Sequence, residues 1–320
     1  MTSTPNTARP ANLTTDMVWV PGRTFAMGSA DHYPEEAPVH DVTVDGFWMD
    51  RLTVRNRDFE RFVRVTGHVT VAERPADPAD YPGADPELLE PSSVVFVSPT
   101  HRVDMHDHYN WWTYVPGADW RHPHGPGSSI RKRPDHPVVH LAWEDAQAYA
   151  DWAGREIPTE AEWELAARGG LDGAPYAWGS ELTPDGVWMA NTWQGHFPYE
   201  NTGADGYTGT APVGRYPPNG YGLYDMIGNV WEWTSDWYGR HATPASPCCG
   251  PVDRPVDQRE ASIDTATPHT RIPRKVIKGG SHLCAPNYCR RYRPAARMAH
   301  PVDTATCHLG LRLIMRTAPD

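Results

Sequence analysis

Near its start the chain carries short apolar runs separated by turn residues and polar stretches. Met17-Val18-Trp19-Val20 predicts a strand closed by the turn Pro21-Gly22, and Phe25-Ala26-Met27-Gly28 predicts a second. Val39 to Val44 alternates and is expected to pair nearby, as is Phe47 to Asp50. The period then changes. Phe59, Phe62 and Val63 share one helical face, which predicts a helix from a Thr53 cap to the region of Val65, with Gly67 as its stop. A second helix is predicted from Trp143 to Ala153, ended by Gly154. The third is the best marked. Pro158-Thr159 opens it, Glu162 completes a capping box with Thr159, and Trp163, Ala166 and Ala167 form its apolar face before Gly169-Gly170.

Between these elements the pattern is weaker. Arg74 to Thr100 is rich in Pro and Asp and reads as a surface excursion, although Val94-Val95-Phe96-Val97 must be buried somewhere. Trp111 to Pro116 predicts an aromatic strand or bend facing the core. From Tyr176 onward the chain is turn-rich, with no internal repeat and no domain boundary. The 33 prolines and 27 glycines limit long regular elements, while 14 tryptophans and 14 tyrosines supply apolar area beyond what 39% hydrophobic residues suggest. Residues 1–15 read as a disordered tail and 16–320 as a single domain. A net charge of −11 without a basic block argues against a nucleic-acid partner. No apolar run is long enough to span a membrane, and the first fifteen residues lack the apolar stretch of a secretory signal. A cytoplasmic location, where thiols stay reduced, is therefore expected.

Candidate chemistry concentrates near the end. In Gly279-Gly280-Ser281-His282-Leu283-Cys284-Ala285-Pro286-Asn287-Tyr288-Cys289, two thiols lie five positions apart, with Arg290, Arg291, Arg293 and Arg297 crowding the second. Positive charge lowers a thiol pKa, and the thiolate is the nucleophile or metal ligand. The spacing is not that of a zinc site, and by itself it leaves a disulfide or two buried thiols open. Cys248, Cys249 and Cys307 read as packing or free thiols, since adjacent cysteines rarely bridge each other. Two loops, around Asn191 to Tyr207 and Asp225 to Glu232, carry the oxygen donors that Ca²⁺ takes, though ordinary Asx-turn chemistry is the favoured reading of these residues by themselves. The histidines between His101 and His140 form no zinc pattern. His106 and His108 would share one face of a strand, and these histidines are expected at the surface.

These segments add up to a family. The chain resembles the formylglycine-generating enzymes, the sulfatase-modifying factor family of bacterial type, from Met17 to Met315. The resemblance is carried by Trp19 to Gly22, His136 to His140, Pro158 to Glu164, Asn219 to Tyr224, Gly228 to Trp233 and Gly279 to Ser281. Its most specific part is Leu283 to Cys289 followed by Arg291-Tyr292-Arg293. The resemblance implies an α+β fold: one irregular domain with little secondary structure and C-type-lectin-like ancestry. It implies oxidation, with O₂, of a cysteine in a Cys-x-Pro-x-Arg motif of a nascent or unfolded sulfatase to Cα-formylglycine. Cys284 and Cys289 would hold Cu(I), a soft ion that thiolates select. Ser281 would position oxygen or water, and Trp231, Tyr288 and His308 would line the pocket. One structural Ca²⁺ would take Asn191, Thr192, Asp205 and Tyr207, and another Asp225, Gly228, Val230 and Glu232. Many relatives have His where this chain has Ala285, and Asn where it has His308. A non-catalytic lectin-like binding module is the alternative; the cysteine pair argues against it. An iron-dependent sulfoxide synthase is a further one, but it would need an additional helical domain for which this chain has no room.

Overall fold

A computed structural model describes residues 16–241, 257–266 and 270–316. The expected tail and the Cys248-Cys249 pair lie outside the described residues. Strands β1 (Met17–Val20), β2 (Arg23–Met27), β3 (His40–Val44) and β4 (Phe47–Asp50) open the chain. β2 pairs with β3 as a hairpin, and β1 pairs antiparallel with β4 from Met17↔Asp50 to Val20↔Phe47. Helix α1 (Asn56–Thr66) buries Phe59, Phe62 and Val63, and Gly67 ends it at φ 72°, a left-handed position that suits glycine. Thr53 does not cap it. Arg55 is the first flanking residue, the Asp58 carboxylate bonds back to its backbone, and the Thr53 hydroxyl instead donates to Glu232 Oε1 at 2.8 Å.

The excursion after Arg74 contains short 3₁₀ turns and then β5 (Ser92–Phe96), which pairs with β6 (Trp112–Pro116). Of the four apolar residues expected to be buried there, only Val95 is; Val97 is exposed. Helices α2 (Trp143–Ala153) and α3 (Glu160–Arg168) follow. The α3 capping box forms as expected, with Glu162 N donating to Thr159 Oγ1 at 3.2 Å and Thr159 N to Glu162 Oε2 at 2.7 Å. Such a cap contributes about 1 kcal/mol.

The turn-rich half hides a sheet. Strand β7 (Trp231–Trp237) is followed by a one-turn helix α4 (Gln258–Ala261), then β8 (Arg274–Lys278), β9 (Arg297–Pro301), β10 (Leu309–Gly310) and β11 (Ile314–Met315). The sheet order is β10-β7-β8-β9, while β11 joins β4 beside β1. The strands escape a period-two reading because β7 is buried on both faces over its first four residues and carries a bulge between Trp233 and Trp237. Trp163, Trp231 and Trp233 fill the core against this sheet.

Candidate active site on the β8–β9 connection

Both thiols lie on the long loop, residues 279–296, that joins β8 to β9. Its base is a pair of buried cations. Lys278 and Arg297 face each other across the ladder, and both reach Glu160 on α3, Arg297 through two bonds of 2.7 and 2.8 Å. Lys278 also donates to the fully buried Glu164 at 2.9 Å. Burial works against ionisation of Glu160, but His241, Lys278 and Arg297 outweigh it and hold its carboxyl well below the usual range.

The glycines let the loop fold back on itself. Gly280 has φ 72°, and a Cβ there would sit 2.8 Å from the backbone of Arg291 and Tyr292. Turns then bring the thiols together: Cys284 N donates to Ser281 O at 2.9 Å, and Cys289 N donates to Ala285 O at 2.9 Å. Neighbouring loops hold the segment from outside. His282 N bonds Asn229 O and Trp193 N bonds Cys284 O, while Asn287 bonds both backbone groups of Phe197.

The two sulfurs stand 3.3 Å apart as free thiols, Cys284 buried and Cys289 half-buried. Ser281 N lies 3.4 Å from Cys284 Sγ, and the Ser281 hydroxyl accepts from Leu283 N. The pair ionises unequally. Burial and the contact with Cys289 push the Cys284 thiol up. The Cys284 hydrogen bond, helped by the Arg291 guanidinium and opposed by burial, lowers Cys289 to about 6. Only one of the four arginines reaches the thiols. Arg291 Nη1 is 3.7 Å from Cys289 Sγ, whereas Arg293 pairs with Glu36, Arg297 with Glu160, and Arg290 lies beside Tyr176 and Tyr292.

Tyr288 is part of an aromatic wall beside the pair. Its ring stacks on Phe197 at 4.4 Å and meets Trp111 edge-on, while 40% of the residue stays exposed. Trp231 is buried in the same core cluster as Cys284. The buried His308 contacts Trp112 and bonds Thr306, and burial followed by nearby His282 pushes its pKa well down. Cys307 packs with Leu283 and Ala285, in keeping with a packing role, and burial pushes its thiol up to about 12. His106 lies in a turn and His108 in a 3₁₀ helix, so they share no strand face. His140 corrects the surface expectation, being wholly buried.

The two oxygen-rich loops abut each other, with Asn229 N donating to Asn191 O at 2.8 Å. In the first, Asp205 accepts from Thr192 N, Gln194 and Tyr207 N. The Asn191 side-chain oxygen is buried without a partner. In the second, Gly228 makes the turn at φ 79° and Val230 is buried. Asp225 Oδ1 is likewise buried and unpartnered, and burial raises its carboxyl to about 6. Orphaned buried oxygens of this kind fit a hard cation. Glu232 differs: Thr53, Trp163 and Arg312 already bond its two oxygens. Among the described residues no group of three or more His, Cys, Asp or Glu side chains is placed to hold a metal. A cation here would therefore lean on amide and carbonyl oxygens.

The family model of the sulfatase-modifying factor enzyme 1-like domain matches residues 2–317. The chain belongs to this family. It is 53% identical over 305 residues to a formylglycine-generating enzyme of Mycobacterium tuberculosis, covering 94% of this chain and 98% of that protein. It is also 40% identical over 301 residues to an inactive C-alpha-formylglycine-generating enzyme 2 of Mus musculus, covering 92% and 84%. The fold resembles that of PvdO from Pseudomonas aeruginosa, with TM-score 0.61 at 23% identity over 96% of this chain and 97% of that one. Because the family holds inactive members, activity has to be argued from the thiols. Sequence reasoning placed Trp193, Phe197 and Asn229 only in the oxygen-rich loops and missed Tyr33 and Glu35, all of which bear on the site. Tyr33 and Glu35 are remote from it along the chain and follow no spacing pattern that marks them.

Proposed function

We propose that this protein oxidises a cysteine of a client sulfatase segment to Cα-formylglycine, using O₂ and Cu(I) held by Cys284 and Cys289. The observation that carries the reading is the thiol pair: two free sulfurs 3.3 Å apart, one facing the Arg291 guanidinium, beside the partly exposed Tyr288 ring. A soft two-sulfur donor set suits Cu(I) and disfavours hard cations. Bound there, Cu(I) supplies one-electron chemistry with O₂.

The protein's own groups do the rest. Cys289 gives up its proton before Cys284, so the pair presents a thiolate to an incoming soft ion. The Ser281 hydroxyl accepts from Leu283 N and keeps its own proton for an oxygen or water beside Cys284. The exposed Tyr288 ring, backed by buried Phe197 and Trp111, offers an aromatic surface for an extended client peptide with a Cys-x-Pro-x-Arg motif. Converting a client thiol to an aldehyde and sulfide removes two electrons, and reducing O₂ to water takes four. Two electrons therefore come from an external donor. Asn191 and Asp225, with Thr192, Asp205, Tyr207, Gly228 and Val230, would hold structural Ca²⁺. Through Trp193 and Asn229 those loops are bonded directly to the thiol segment.

The inactive mouse relative favours a second reading, a binding module without chemistry. One experiment separates the two. Copper-loaded protein is incubated in air with a Leu-Cys-Thr-Pro-Ser-Arg peptide and a reductant, and the aldehyde is sought by mass spectrometry. Turnover that disappears in Cys284→Ser and Cys289→Ser supports the oxidase. Full copper loading without aldehyde sinks it.

A further inference from the structure

Arg291 is held at two points by a short turn that lies far away in sequence. Its Nη2 donates to Glu35 Oε1 at 2.6 Å, and its guanidinium lies 3.8 Å from the centre of the Tyr33 ring. The Tyr33 hydroxyl accepts from Arg290 N at 3.0 Å, which fixes the chain next to Arg291 as well. The turn itself is tied down: Glu36 N bonds Tyr33 O, Ser29 N bonds Glu36 O, and Glu36 pairs with buried Arg293. What remains of Arg291 faces the site. Nη1 points to Cys289 Sγ at 3.7 Å, and Nε is buried with no hydrogen-bond partner.

Charge explains why such a group is needed. Two thiolates around a monovalent cation keep one negative charge, and a client thiolate adds a second. Cys284 is buried, where uncompensated charge is costly. The other three arginines of the segment are committed elsewhere or do not reach the sulfurs. We infer that Arg291 is the charge-compensating residue of the thiol site, and that Tyr33 and Glu35 are positioning residues that aim it. This rests on the copper reading above. An arginine suits the task because a planar fork can stack, pair and still present a further N–H, whereas a lysine has one charged tip.

The test is Cu(I) affinity, read by competition with a chromogenic Cu(I) chelator under anaerobic conditions, with thermal unfolding alongside. Arg291→Met should weaken binding by about tenfold or more, the span of one lost charge-assisted contact. Arg291→Lys should recover part of that loss. Tyr33→Leu leaves every charge in place and removes only the hold. It should weaken binding several-fold with the unfolding midpoint unchanged, and it carries the test should Arg291→Met fail to fold. Wild-type affinity in Arg291→Met, or equal losses in the Met and Lys variants, would overturn the role of Arg291. Unchanged affinity in Tyr33→Leu would overturn the positioning role of that residue. A wild-type protein that binds no Cu(I) would sink the copper reading and this inference with it. Tight wild-type binding beside an indifferent Arg291→Met sinks this inference alone.

Discussion

His140 is a buried histidine whose titration should be visible in the stability of the whole domain. It is fully buried at φ 62°, with Nε2 3.0 Å from the Pro123 carbonyl and Nδ1 2.7 Å from Ser93 Oγ. Burial lowers its pKa from 6.5 to about 4, with Pro123 and Asp119 opposing the shift and His124 reinforcing it. The sign follows from linkage. The unfolded chain takes the proton first, so the stability His140 contributes is complete above pH 6.5 and is lost as pH falls from there toward 4. Between pH 7.5 and 5 one such group removes about 2 kcal/mol. The assay is urea unfolding across that range for wild type and His140→Asn. Asparagine tolerates the left-handed backbone and does not titrate. The variant will be less stable at every pH, but its stability should fall about 2 kcal/mol less on acidification. There is a clear way for this to fail. Ser93 Oγ also lies 2.7 Å from Ala305 O. A protonated His140 could donate to Ser93, which could donate onward, and the cation would then be tolerated. In that case the two proteins would show parallel pH profiles, and burial would not be the governing effect.

Other outcomes follow from the frame around the site. Glu160→Gln leaves buried Arg297 and Lys278 short of a counter-charge and should cost about 3–5 kcal/mol; a loss below about 1 kcal/mol in denaturant unfolding would show that the cations find other partners. Gly280→Ala meets backbone at 2.8 Å and should cost about 2 kcal/mol or more while weakening Cu(I) binding; a wild-type unfolding midpoint would rule out the clash. Calcium at about a hundredfold excess over its Kd should add about 2.7 kcal/mol to stability, an effect reduced in Asn191→Ala and in Asp225→Ala; a melting temperature indifferent to both calcium and chelator would remove the cation from these loops.

What could be read along the chain were features set by near neighbours. The first two strands follow from short apolar runs beside turns, the next two from alternation, and α3 from a capping pair three residues apart. The stops at Gly67, Gly154 and Gly169 follow from a left-handed φ that glycine adopts at little cost. The thiol pair and its family segments were equally plain. The strands of the second half were not, because β7 is buried on both faces and its partners arrive from distant parts of the chain. Thr53 looked like a cap because a hydroxyl before a helix usually is one, but its nearest acceptor in space is Glu232, far along the chain.

The family, the fold class and a close pair of thiols were legible along the chain. Folding alone set which arginine faces them, which oxygens are left without partners and which histidine is sealed from water. The reason is physical. Local conformation depends on residues a few positions apart, whereas charge in a buried site depends on whatever the fold brings within a few ångströms. Glu35 and Arg291 are separated by 256 positions, and their contact exists only once the turn between β2 and β3 has docked on the β8–β9 loop.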